Sequence, residues 1–257
     1  MSVHVKTIGT GPNLVLIHGW GMNSAVFQPL IKPLSKLFTL HLVDLPGMGE
    51  SRPIEPFHLH ALADAVGESI PGKANVLGWS LGGLVAMRIA MSQPDRIRRL
   101  VLVGSTPSFV NKSDWQNGVD PAAFDDFSQK VNENYQATMM QFLTLQCMGA
   151  SDARSTVRQL RSAFADKPTP TQTTLQRALQ VLLDTDLRDE MIDIRKPTLL
   201  IHGDRDTLAP VQAAHWMSQH LPLGFLRVIA GASHAPFLSH QTQFIEALIQ
   251  FLEPDQQ

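Results

Sequence analysis

Short apolar runs separated by helical patterns constrain this chain more than any other feature. The runs cover residues 14–17, 39–43, 75–77, 100–103, 198–201 and 226–229, each three to five residues long. They are too short for buried helices and show little polar alternation, which marks strands buried on both faces. Apolar residues recur at helical spacing over 24–37, 59–70, 81–92, 211–220 and 241–252. Strands that alternate with helices build a mostly parallel sheet with helices on both faces, so the fold class is α/β.

The rhythm breaks between about 107 and 194. That stretch has no strand run, carries helical patterns and prolines, and holds scattered methionines. It reads as a helical lid inserted into a core made of 1–106 and 195–257. Its expected place is over the C-terminal edge of the sheet, where open α/β sheets bind ligands. The polar tail 253–257 is expected to fray.

Composition narrows the function classes. A formal charge of −2 gives no reason to expect nucleic acid or an anionic membrane as partner. The single cysteine, Cys147, excludes an internal disulfide and a multi-cysteine zinc site, and reads as a buried thiol. No apolar run approaches the roughly 20 residues of a membrane span. The start, Met1-Ser2-Val3-His4-Val5-Lys6, lacks a basic segment followed by a long apolar one. A cytoplasmic, monomeric protein is the expectation.

One pattern carries chemistry. Gly78-Trp79-Ser80-Leu81-Gly82 follows an apolar run and opens a helical one. A serine on a sharp strand-to-helix turn needs small residues two positions away on either side, and Gly78 and Gly82 supply them. The helix that begins there offers free N–H groups to a developing oxyanion. Ser80 is therefore the candidate nucleophile.

A serine hydroxyl is a weak nucleophile without a general base. Of the ten histidines, His234 lies just after the last strand run, at the sheet edge that carries Ser80. His18 is the main rival and is expected instead to support the loop beneath the site. His202 and His240 read as hydrogen-bonded structural residues. In this order of elements the orienting acid precedes the histidine. Asp206 is preferred, with Asp204 open as the alternative and otherwise a turn or cap residue. Two amide donors must meet the oxyanion. The backbone N–H of Leu81 is one, and that of Trp20, in His18-Gly19-Trp20-Gly21, is the other. No metal or organic cofactor is needed.

These motifs, with Asp44-Leu45-Pro46-Gly47-Met48-Gly49-Glu50-Ser51, resemble the α/β-hydrolase superfamily over nearly the whole chain. Trp20, Trp79, the segment Phe142-Leu143-Thr144-Leu145-Gln146 and the ending His234-Ala235-Pro236-Phe237-Leu238-Ser239-His240 are similar to its pimeloyl-acyl carrier protein methyl ester esterases of biotin synthesis. That resemblance implies hydrolysis of a methyl ester on a pimeloyl chain borne by acyl carrier protein, releasing methanol. It also implies substrate contacts at Trp20, Ser80, Leu81, Phe142, Leu143, Thr144, Leu145, Gln146 and His234. Independently, Arg154, Arg158 and Arg161 fall on one helix face and suit an acidic partner such as a carrier protein. A solvated helix face is the alternative for them. The chain departs from the family in Ala137-Thr138-Met139-Met140-Gln141, where the family has a further pair of arginines. Two other readings stay open at this level. One is a general short-chain carboxylesterase or carbon–carbon bond hydrolase of the same fold. The other is a noncatalytic ligand-binding protein.

Overall fold

Strands without polar alternation have to be covered on both sides, and the architecture follows from that. In the computed structural model, which describes residues 3–150 and 152–253, seven strands form one sheet. They are β1 (Val5–Ile8), β2 (Asn13–Ile17), β3 (Thr39–Val43), β4 (Ala74–Trp79), β5 (Ile97–Val103), β6 (Thr198–Gly203) and β7 (Gly224–Ile229). Their order is β1-β3-β2-β4-β5-β6-β7. All neighbours run parallel except β1 and β3. Six strands cover the six apolar runs. The seventh, β1, has no buried residue and pairs only with β3, so an edge strand of this kind leaves no apolar run to read.

The helices are α1 (Gln28–Leu34), α2 (Leu59–Ser69), α3 (Leu81–Ser92), α4 (Pro121–Leu145), α5 (Ala153–Ala165), α6 (Gln172–Asp184), α7 (Val211–His220), α8 (Pro236–Ser239) and α9 (Gln241–Leu252). The pattern over 24–37 divides into a 3-10 turn, Ser24–Phe27, capped by the Asn23 side chain, and α1. Pro29 lies in the first turn of α1, where a missing N–H costs nothing.

The period of two along the strands sorts the core into two layers. Val15, Val76 and Leu102 face α2 and α3 on one side. Leu14, Leu77 and Val103 face α1 and α9 on the other. Between β5 and β6 the chain leaves the sheet for α4, α5 and α6, followed by a 3-10 segment, Arg188–Asp193. α4 kinks at Asn134, whose backbone departs from helical values (φ −153°, ψ 80°). The Asn134 side chain then caps the second half by accepting from the Ala137 N–H at 3.1 Å.

Polar contacts tie this helical segment to the core. Arg88 on α3 holds Glu190 through two bonds of 2.7 and 2.8 Å. Lys167 reaches the buried Asp44 carboxylate at 2.8 Å. The Trp20 indole donates to the Leu175 carbonyl at 2.9 Å. The polar residues 254–257 lie outside the described residues.

Candidate active site

β4 ends at Trp79 and α3 begins at Leu81, so Ser80 takes the whole turn between them. It is the one non-glycine residue with positive φ among those described (φ 56°, ψ −120°). Such a conformation costs about 1–3 kcal/mol and persists only where the surroundings enforce it. They do so here by close approach. A Cβ on Gly78 would lie 2.2 Å from the Gly82 carbonyl oxygen, and one on Gly82 would lie 2.3 Å from that of Ile17. The Ser80 N–H donates to the Val103 carbonyl at 3.0 Å, and the Ser105 hydroxyl donates to the Ser80 carbonyl at 2.9 Å.

Asp206 leaves the end of β6, and His234 follows β7. Their side chains meet, with His234 Nδ1 2.8 Å from Asp206 Oδ2. Both side chains are buried. The other carboxylate oxygen, Oδ1, accepts from the N–H groups of Leu208 and Ala209 at 2.9 Å each. Burial would raise the Asp206 carboxyl. The neighbouring His234 and the bonds from His234 and Ala209 outweigh it and hold the group below the ordinary carboxylate range. An ionised Asp206 fixes the proton of a neutral His234 on Nδ1 and leaves Nε2 as the basic nitrogen.

The rival residues have other partners. Asp204 Oδ1 accepts from the Gly231 N–H at 2.7 Å and braces the turn that leads to His234. His18 is fully buried, and burial lowers its pKa. Its Nε2 accepts from the Leu45 N–H at 3.0 Å, so Nδ1 carries the proton and donates to the Gly19 carbonyl at 2.9 Å. The ring thus pins the loop of His18 to Gly21 against the loop after β3. His240 Nδ1 lies 2.9 Å from the Ser239 hydroxyl. His202 is fully buried beside the Ala209 main chain, with no well-formed hydrogen bond at either ring nitrogen among the described residues. Cys147 is buried, and burial pushes its thiol up to about 12, so it is not a nucleophile at neutral pH.

Ser80 and His234 open into one cavity of about 550 Å³. Its walls are mostly aromatic and aliphatic. Trp20 stacks edge-on against Phe127 and Phe142, at ring distances of 5.4 and 5.0 Å. Trp20, Phe142, Thr144 and Leu145 line the cavity. Leu143 and Gln146 do not: both are buried in the protein, turned away from the cavity wall. Leu81 likewise packs its side chain into the core, so only its main chain could serve the site. Arg154, Arg158 and Arg161 are all exposed, and Arg161 alone of the three lines the cavity. A mostly apolar chamber of this size suits an acyl chain.

Sequence reasoning missed three contributors. The first half of α4 adds Phe124 and Phe127 to the cavity wall. Gly104, at the end of β5 with φ 47°, packs on the acid–histidine pair: a Cβ there would lie 2.9 Å from the His234 carbonyl oxygen and 3.2 Å from Asp206 Oδ2. A glycine directly after a strand was the available signal. Trp79 donates its indole N–H to the His234 carbonyl at 2.8 Å. Metal chemistry finds no free donor set in the one cluster that could hold an ion among the described residues. His4, Asp44 and Glu50 come together there, but the Lys167 ammonium lies 2.8 Å from Asp44 and 3.6 Å from Glu50.

A strained serine after a central parallel strand, with an acid and a histidine on the following strand ends, defines an α/β hydrolase. The sequence model of the alpha/beta hydrolase fold family matches residues 12–241. A protein of Nitrosomonas europaea is 42% identical over 244 residues, covering 95% of this chain and 97% of its own length. One of Aeromonas salmonicida is 41% identical over 254 residues, covering 98% of this chain and all of its own. Both are named pimeloyl-[acyl-carrier protein] methyl ester esterase, and this chain belongs to their family within the α/β hydrolases. Among solved structures, an esterase from Exiguobacterium antarcticum superimposes with a TM-score of 0.89 over 97% of this chain and 94% of its own, at 22% identity. That likeness speaks to the fold alone.

Proposed function

We propose that this chain hydrolyses the methyl ester of pimeloyl-acyl carrier protein, giving pimeloyl-acyl carrier protein and methanol for biotin synthesis. The observation that carries the reading is the shared cavity: a strained Ser80 and an Asp206-bound His234 open into one apolar, acyl-sized chamber. Relatives that carry this activity in their names, at about two-fifths identity over full length, supply the substrate class.

In this mechanism His234 Nε2 takes the Ser80 proton as Oγ attacks the ester carbonyl. Asp206 steadies the imidazolium that forms. The N–H groups of Leu81 and Trp20 hold the oxyanion. His234 returns the proton to the departing methoxide, which leaves as methanol. Water, deprotonated by the same histidine, then attacks the acyl-serine and frees the acid. The segment 107–194 acts as a lid that sets which acyl chains fit, with Trp20, Phe142, Thr144 and Leu145 against the chain. Arg154, Arg158 and Arg161 face the carrier protein. A cytoplasmic location and a monomeric state belong to the same proposal.

The test is complementation of a biotin auxotroph that lacks this esterase, with Ser80→Ala as its partner. Wild type should restore growth, and purified enzyme should release methanol from the methyl ester of pimeloyl-acyl carrier protein. Growth restored equally by Ser80→Ala would refute the nucleophile. Hydrolysis of simple esters without rescue would favour a general carboxylesterase.

A further inference from the structure

His234 is gripped at three points by three separate parts of the chain. Asp206 holds the ring at Nδ1. Trp79, next to Ser80, donates its indole N–H to the His234 carbonyl at 2.8 Å. The His234 N–H donates to the Gln146 carbonyl at 3.2 Å. Gln146 is the C-cap of α4, and its own N–H donates to the Phe142 carbonyl at 3.0 Å.

The two main-chain grips come from different parts of the fold. Trp79 belongs to β4, at the centre of the sheet, and is buried against Phe237 with ring centres 5.1 Å apart. Gln146 belongs to the helical segment between β5 and β6. The residues just before it, Phe142, Thr144 and Leu145, line the cavity. One helix end therefore borders both the cavity and the main chain of His234. The outer grip is the longer bond, at the far end of the normal N–H···O range. It is the one that gives first when the helix end shifts.

We infer that Trp79 and the C-terminal end of α4 are positioning elements for His234, and that filling the cavity with an acyl chain of the right length sets the base in place. The inference rests on His234 being the general base. A chain that fills the cavity presses Phe142 and Leu145 outward and fixes Gln146. A short chain leaves that helix end loose and the histidine held by Asp206 and Trp79 alone. Misplacement of a catalytic group by about 1 Å can cost about a hundredfold in rate. Acyl-chain length is thus read in kcat and not only in KM.

The test is steady-state kinetics on dimethyl esters of straight dicarboxylic acids, from pimelate down to succinate, with wild type and Trp79→Phe. The phenylalanine keeps an aromatic ring against Phe237 and removes the indole N–H. For wild type, kcat should fall at least about tenfold from pimelate to succinate. Trp79→Phe should lower kcat on pimelate about tenfold with KM within about twofold, and should steepen the length dependence. Length dependence confined to KM in wild type overturns the coupling, and that result needs no variant to fold. Wild-type kcat in Trp79→Phe overturns the role of Trp79. His234→Ala separates the two failures: if it keeps wild-type turnover, the base assignment has failed, and with it the ground for this inference.

Discussion

His202 makes stability depend on pH in a window that can be worked out in advance. It lies near the end of β6, fully buried, with no well-formed hydrogen bond at either ring nitrogen among the described residues. Burial disfavours its imidazolium and pushes the pKa from 6.5 down to about 4, against the pull of Asp206 and the Ala209 main chain and with help from His234 and His215. A histidine depressed by folding contributes stability that is whole above the unfolded value and drains away as pH falls towards the folded one. The window is therefore pH 6.5 to 4. Each tenfold change in proton affinity is worth about 1.4 kcal/mol, so the full contribution is about 3 kcal/mol, and about 2 kcal/mol of it is gone by pH 5. His202→Phe removes the titration, and its larger ring costs about 1–3 kcal/mol by overpacking, equally at every pH. Urea unfolding of both proteins at pH 8, 7, 6 and 5 isolates the effect, because every other titrating group is common to both. Between pH 8 and pH 5 the wild type should lose about 2 kcal/mol more than the variant. Parallel curves for the two proteins would show that His202 ionises at an ordinary pH and that the reasoning is wrong.

Two substitutions probe the acid–histidine pair from different sides. In Asp206→Asn the amide oxygen can keep the Leu208 and Ala209 N–H groups, so the turn survives, but an NH₂ then faces His234 Nδ1 and forces the wrong tautomer. We expect kcat on a p-nitrophenyl ester to drop about 10⁴-fold with the melting temperature nearly unchanged. Gly104→Ala places a methyl group against the His234 carbonyl and Asp206 Oδ2 at positive φ. It should cost about 1–3 kcal/mol, read as a melting point several degrees lower, and kcat should fall at least about tenfold. A variant with unchanged turnover would mean that Gly104 does not constrain the pair.

The parts of this molecule that were legible in its sequence are those where one local cause decides the outcome. Six strands showed because burial on both faces demands unbroken apolar residues, and β1 did not because an edge strand with exposed side chains makes no such demand. Ser80 showed because its strained turn admits only glycine at two fixed positions. Contacts fixed by packing between distant segments left little trace: a glycine directly after β5 marks a close approach, but nothing around Gly104 or Phe124 says which element will lie opposite. The segment Phe142 to Gln146 is instructive because helix geometry already limits it. Successive residues of a helix point about 100° apart, so five in a row cannot all face one cavity. Phe142 and Leu145, three apart, share the cavity side with Thr144, while Leu143 and Gln146 turn to the interior. The arginine stripe obeys the same geometry. Arg154 to Arg161 spans about 10 Å at about 1.5 Å per residue, so a cavity wall that includes Arg161 need not include Arg154. A helix face read from sequence thus fixes which residues point the same way. How far along that face a site extends is set by what packs at its end, and here that is the cavity over Ser80.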